Sequence, residues 1–145
     1  MVRFYKVIFL IIFTYPAFGV TVSVNSVCSD TSQSYNFDSY DYNQDLNIRI
    51  SSFSYQPDYV FVRVLNKDNA DIVIEDNADN ADNASTVCIA KEGRTIKMLN
   101  YEFGADLIII ISNNSINPDF TIFYDSQILS LDEAIAISVF QEILR

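Results

Sequence analysis

From Asp45 to Tyr124 the chain alternates short apolar runs with polar turns. DLNIRI, DYVFVRV, DIVIED, DLIIII and DFTIFY open at Asp45, Asp58, Asp71, Asp106 and Asp119, and the steps 45 to 58, 58 to 71 and 106 to 119 are each 13 residues. Runs of β-branched and aromatic residues bounded by turn formers predict strands. Leu46, Ile48 and Ile50 alternate with Asn47 and Arg49, which predicts one wet face. Residues 107–111 are apolar without a break, which predicts a strand buried on both faces. The interval from Asp71 to Asp106 accommodates three units if Asp82 and Arg94 serve as further anchors, with steps of 11, 12 and 12. The expectation is seven strands anchored at Asp45, Asp58, Asp71, Asp82, Arg94, Asp106 and Asp119.

The residue before each anchor is restricted as well: Gln44, Pro57, Ala70, Ala81, Gly93, Ala105 and Pro118. All but Gln44 are small or proline, which suits a tight turn or a close approach of backbones. An aspartate at a strand's start can accept hydrogen bonds from N–H groups of its own turn, so a structural role is expected for the whole set.

The two ends of the chain depart from the repeat. Ser130-Leu131-Asp132-Glu133 has the S-x-x-E form of a capping box and precedes AIAISVFQEIL, predicting a helix over 131–144 that lays Ile135, Val139 and Ile143 on the sheet. Asp132 also lies 13 residues after Asp119, so a further strand is the alternative. Residues 29–43 are polar, tyrosine-rich and without period, as in a surface loop or a loose edge strand. The expected fold is all-β, a single domain of about seven short repeat strands with a C-terminal helix. Its parts are a signal peptide (1–19), a polar, Tyr-rich segment (20–43), a β-repeat domain (44–130) and the helix (131–145).

Units such as ADIVIEDN, ADLIIIIS, PDYVFVRV and PDFTIFYD resemble the repeats of the septoil-knot domains over about residues 43–127. In that family short strands wind into a compact ring whose backbone is knotted with seven crossings. The resemblance implies that fold and implies no catalytic residues. The sequence departs from the motif over 79–92 and at Arg94.

Arg3 and Lys6, the apolar residues 7–13, and Ala17 and Gly19 follow the secretory pattern, with cleavage expected after Gly19. The apolar run is shorter than the ~20 residues that span a bilayer. The remaining chain carries a net charge of 7 − 19 = −12. Such a surface repels nucleic acid and anionic lipid, and favours a basic protein partner or cations. A secreted or periplasmic location is expected, with no membrane association after cleavage. Cys28 and Cys88 are the two cysteines. In an oxidising compartment they are expected to pair, closing a loop worth about 4 kcal/mol in the chain-entropy model; two buried free thiols are the alternative.

The chain has no histidine, which removes Ser-His-Asp and Cys-His mechanisms and His-containing zinc sites. Three glycines leave no phosphate-cradling loop. Paired carboxylates remain open to a hydrolase, which needs two acids about 5–9.5 Å apart. In EDNADNADNAST, Asp76, Asp79 and Asp82 recur every third residue without the glycine of an EF-hand loop. The Ala-Asp steps copy those of the repeat, so this stretch is expected to be an exposed loop without metal. Tyr35, Tyr40, Tyr42 and Tyr55 stand among Ser, Asn and Asp, a mixture found on binding loops and equally at a core's edge. Asn83 and Asn113 head glycosylation sequons. The expected function is an exported, acidic, non-enzymatic binding or structural module that meets a basic exported protein and uses no cofactor. The alternatives are a carboxylate-based extracytoplasmic hydrolase and a weak calcium-binding protein.

Overall fold

The structure is a computed structural model, which describes residues 20–37, 44–78, 84–115 and 117–142. Its strands are β1 (Val20–Asn25), β2 (Gln33–Asn36), β3 (Leu46–Ser51), β4 (Tyr59–Arg63), β5 (Ile72–Asp76), β6 (Ser85–Ile89), β7 (Arg94–Met98), β8 (Leu107–Ser112) and β9 (Phe120–Asp125), followed by helix α1 (Leu131–Glu142). They close a barrel in the order β1-β5-β9-β4-β8-β3-β7-β2-β6. Every pairing around it is parallel. No two consecutive strands are neighbours. Each step of the chain moves two places around the ring and passes the strand between. The strands β6 to β9 of the second circuit fill gaps left by the first, apart from the β1–β5 contact.

The barrel has nine strands, not seven. The two unforeseen ones lie in the N-terminal segment 20–43: VTVSVN forms β1, and QSYN, within the stretch 29–43 read as a surface loop or a loose edge strand, forms β2. A closed ring has no edge, so a short polar segment is held by ladders on both sides, β6 and β7, where alone it would be a loose strand. Alternation decides which face points in: in β3 Leu46, Ile48 and Ile50 are buried while Asn47, Arg49 and Ser51 are half-buried, as expected. The expectation of a strand buried on both faces does not hold for β8: only Ile109 is fully buried, and its neighbours on both faces, Leu107 and Ile111 included, are half-buried.

The fully buried residues Val22, Tyr35, Ile48, Phe61, Ile74, Val87, Ile96, Ile109 and Ile122 define the repeat. Their spacing is 13 at every step except 87 to 96, which is 9. One connection, residues 90–93, is thus four residues short of the rule. Three residues before these core positions stand Asp45, Asp58, Asp71, Ala84, Gly93, Asp106 and Asp119. Asp82 and Arg94 are therefore off register. Asp82 lies outside the described residues, and Arg94 is the first residue of β7, one past the true anchor position.

The predicted helix forms, with its capping box: the Ser130 N–H donates to Glu133 Oε2 and the Glu133 N–H to Ser130 Oγ. It does not lie on the sheet. Six successive residues, Ala134, Ile135, Ala136, Ile137, Ser138 and Val139, are all buried, and at 100° per residue they point in every direction. A helix buried on all sides must be enclosed, and the ring encloses it. The Tyr124 hydroxyl donates to the Leu129 carbonyl at the C-terminal ends of the strands. At the other end Gln141 Nε2 donates to Gln33 Oε1, and the Phe140 ring meets Tyr35 edge-on at 5.8 Å. So α1 runs antiparallel to all the strands, and its small residues Ala134, Ala136 and Ser138 let it fit among Ile and Val of the wall. Ile143 lies outside the described residues.

Candidate functional site

With the interior filled, the connections among the described residues run outside, each over the strand it skips. The anchor aspartates sit where a connection has just crossed. The Asp58 N–H donates to the Ile108 carbonyl at 2.7 Å, and the Ile108 N–H donates back to Asp58 Oδ2 at 2.7 Å. The same reciprocal pair joins Asp45 to Thr95, Asp71 to Thr121, Asp106 to Asn47 and Asp119 to Val60. In every case the partner belongs to the strand just crossed. These carboxylates thus do not serve their own turns, as the sequence suggested; each extends the ladder by one side-chain bond to a strand 50 or 59 residues away. The reason is that the backbone turns away there, leaving a neighbour's N–H that only a short acceptor side chain can reach. Two of them accept a second bond, Asp71 from Thr121 Oγ1 at 2.8 Å and Asp106 from Asn47 Nδ2 at 3.2 Å.

Where aspartate is missing, other devices pin the crossings. The connection over β6, residues 26–32, carries Cys28, which is disulfide-bonded to Cys88 on β6 with a Cα–Cα distance of 5.3 Å. Both cysteines are paired, as expected. The short connection over β2 carries Gly93. A Cβ there would stand 2.5 Å from Ser34 C and Tyr35 N, both main-chain atoms. The Ala90 N–H donates to the Tyr35 carbonyl, and Asn36 Nδ2 donates to the Lys91 carbonyl, so this connection lies directly against the strand it crosses.

Asp76, counted above with the triplet acids, ends β5 and accepts from the Ser126 hydroxyl and the Gln127 N–H. It fixes the bend through which the chain turns from β9 into α1. Tyr124 spans the same bend, donating to the Ser126 and Leu129 carbonyls. Burial pushes its phenol above the ordinary value, with Arg63 opposing and Asp76, Glu133 and Asp125 adding to the rise. Asp132, in the first turn of α1, is pushed up by burial and then by Glu133, while Arg49 opposes. Asp79 and Asp82 lie outside the described residues. Among the described residues no three His, Cys, Asp or Glu side chains come together to hold a metal ion.

The tyrosines divide. Tyr35 is not a surface residue: it is 1% exposed and belongs to the core, because its place in the repeat is that of Ile48 and Phe61. Tyr40 and Tyr42 lie outside the described residues. Tyr55 is 90% exposed. It has company that the sequence reading missed, since Phe53, Tyr101 and Phe103 are exposed on the connections too, with Val27 and Leu65 elsewhere. A signal existed: Phe53 and Tyr101 stand five residues before an anchor aspartate, Tyr55 and Phe103 three before.

Residues 1–19 lie outside the described residues. Among the described residues no helix is long and apolar enough to cross a membrane, and the disulfide is compatible with an extracellular or periplasmic location. In comparisons with protein families, curated proteins and solved structures, no match to this chain is found.

Proposed function

We propose that this protein is an exported, non-enzymatic binding module, cut after Gly19, whose acidic outer surface meets a basic secreted protein. The observation that carries this reading is the employment of the carboxylates. Asp45, Asp58, Asp71, Asp106 and Asp119 are each held by the N–H of a different strand. These acids are spread one per crossing around the ring, whereas a hydrolase needs two that converge. Asp76 is likewise occupied at the start of the helix. The kinship with septoil-knot domains belongs to the same reading. It is supported by the winding, because eight steps of two places on a nine-place ring carry the chain through 8 × 2 = 16 places, almost two circuits.

The test is affinity capture by the oxidised, exported protein from its native extracellular or periplasmic extract at about 0.15 M salt, where weak charge-only contacts are screened. The captured protein is then purified and titrated calorimetrically. A saturable complex of fixed stoichiometry with one basic protein is expected. Recovery of only a mixture of basic proteins, all released by a modest rise in salt, would overturn the proposal.

A further inference from the structure

Among the described residues, the four most exposed aromatic rings share two neighbouring connections. Residues 52–58 cross β8 and residues 99–106 cross β3, and β3 and β8 are paired in the barrel. Strands so paired lie about 4.8 Å apart, and their covering connections run side by side. Phe53 (65% exposed) and Tyr101 (60%) occupy the same place of the repeat, as do Tyr55 (90%) and Phe103 (90%). On the connections over β9 and β4, the place five before the anchor holds Asn66 and Asn114. The same two places before Asp45 hold Tyr40 and Tyr42, which lie outside the described residues, so aromatic residues recur at these places on some crossings and not on all.

The rings are held out by local structure. The Ala105 N–H donates to the Glu102 carbonyl, and Gly104 takes φ +81°, as the third residue of a type II turn requires. That turn presents Phe103 at its second position. Across from it, Ser51 Oγ donates to the Phe53 carbonyl, the Gln56 N–H to Ser54 Oγ, and the Phe53 and Tyr55 rings stack edge to face at 5.0 Å. Rings already ordered lose little freedom when covered.

Charge decides what covers them. Asp58, Glu102 and Asp106 are exposed around the rings. A second copy of this chain, with net charge −10, would be repelled from this face. A cation is drawn to both the carboxylates and the ring faces. The molecule already uses this contact within itself: Arg63 lies 5.4 Å from the Tyr124 ring centroid and Arg94 5.0 Å from that of Phe140. Among the described residues neither such contact involves the four exposed rings. We propose that Phe53, Tyr55, Tyr101 and Phe103, with Asp58, Glu102 and Asp106, form a docking surface for an arginine-rich segment of a protein partner, the guanidinium groups stacking on the rings and pairing with the acids.

This proposal rests on the reading of a basic partner, and its test separates the two. The oxidised, exported protein is titrated with a twelve-residue peptide of about six alternating Arg and Gly, and with its Lys-Gly counterpart, both probes designed on the preference of guanidinium over ammonium for stacking. The protein is expected to bind the arginine peptide several-fold more tightly. Replacing Phe53→Ser, Tyr55→Ser, Tyr101→Ser and Phe103→Ser together leaves net charge unchanged, and is expected to weaken the arginine peptide by about tenfold or more and to erase the preference over lysine. Val27→Ser with Leu65→Ser, exposed on other connections, should change neither. Equal binding of both peptides by the parent and the four-ring variant would overturn the surface while sparing the basic-partner reading. No binding of either peptide by the parent would overturn both, and an equal loss in the Val27/Leu65 variant would reduce the effect to general loss of apolar area.

Discussion

Two arcs of the same ring solve one problem differently. Over β3, β4, β7, β8 and β9, the crossing chain is pinned by an aspartate that shares a reciprocal pair of hydrogen bonds with the strand beneath. Over β2 and β6 the anchor aspartates are replaced by Gly93 and by the Cys28–Cys88 bond. The first arc spends one polar contact per crossing and tolerates solvent. The second relies on steric fit and a covalent link, each present once. Stability in the aspartate arc is therefore distributed, while in the other arc it is concentrated in a few atoms.

Breaking the concentrated arc should have the larger effect. Cys28→Ser with Cys88→Ser frees a loop of about sixty residues in the unfolded chain and is expected to lower the unfolding free energy by about 4 kcal/mol, read from urea denaturation against the oxidised parent. Gly93→Ala comes next. The new methyl meets main-chain atoms at 2.5 Å, which cannot swing aside, so the loss is expected near 3 kcal/mol. A neutral result would show that the short connection has room to lift off β2. Smaller effects belong to the aspartates, and they should be graded. Asp71→Ala removes acceptors from the Thr121 N–H and hydroxyl in a part-buried setting and should cost about 2 kcal/mol. Asp58→Ala strips an exposed N–H that water can satisfy, and should cost about 1 kcal/mol or less. Equal losses at the two sites, measured in the same denaturation series, would mean that the crossings act as one unit instead of independently.

Much of the fold was legible because a repeating job needs a repeating residue. Asp45, Asp58, Asp71, Asp106 and Asp119 announced their strands correctly. The failures were local and share a cause. Between Asp71 and Asp106 the anchor place holds Ala84 and Gly93, so even spacing pointed to Asp82 and Arg94, whereas the core residues Ile74, Val87, Ile96 and Ile109 carry the true register. Tyr35 looked like a binding residue from its Ser and Asn neighbours. Its distance of 13 from Ile48 marks it as core. Of the aromatic surface, Tyr55 alone was singled out, since adjacency of residues 53–55 with 101–103 follows from a ring order that no local pattern encodes.

The amino-acid sequence by itself determined the five aspartate-headed strands, the period, the pairing of the cysteines and the capped start of the helix, because each depends on residues within a turn or two or on elimination. Where the strands go was decided only in three dimensions. A step of 13 residues says that units are alike, but not that each skips a neighbour and leaves a gap for a later one to fill. That arrangement depends on closure: nine parallel strands leave no unpaired edge and enclose a space of helix width. The helix carries the same lesson. Its apolar residues looked like one face for a sheet, yet with walls on every side the small residues Ala134, Ala136 and Ser138 count as much as Ile135 and Val139. Burial on all sides is a property of the enclosure, so it became visible only once the ring was closed.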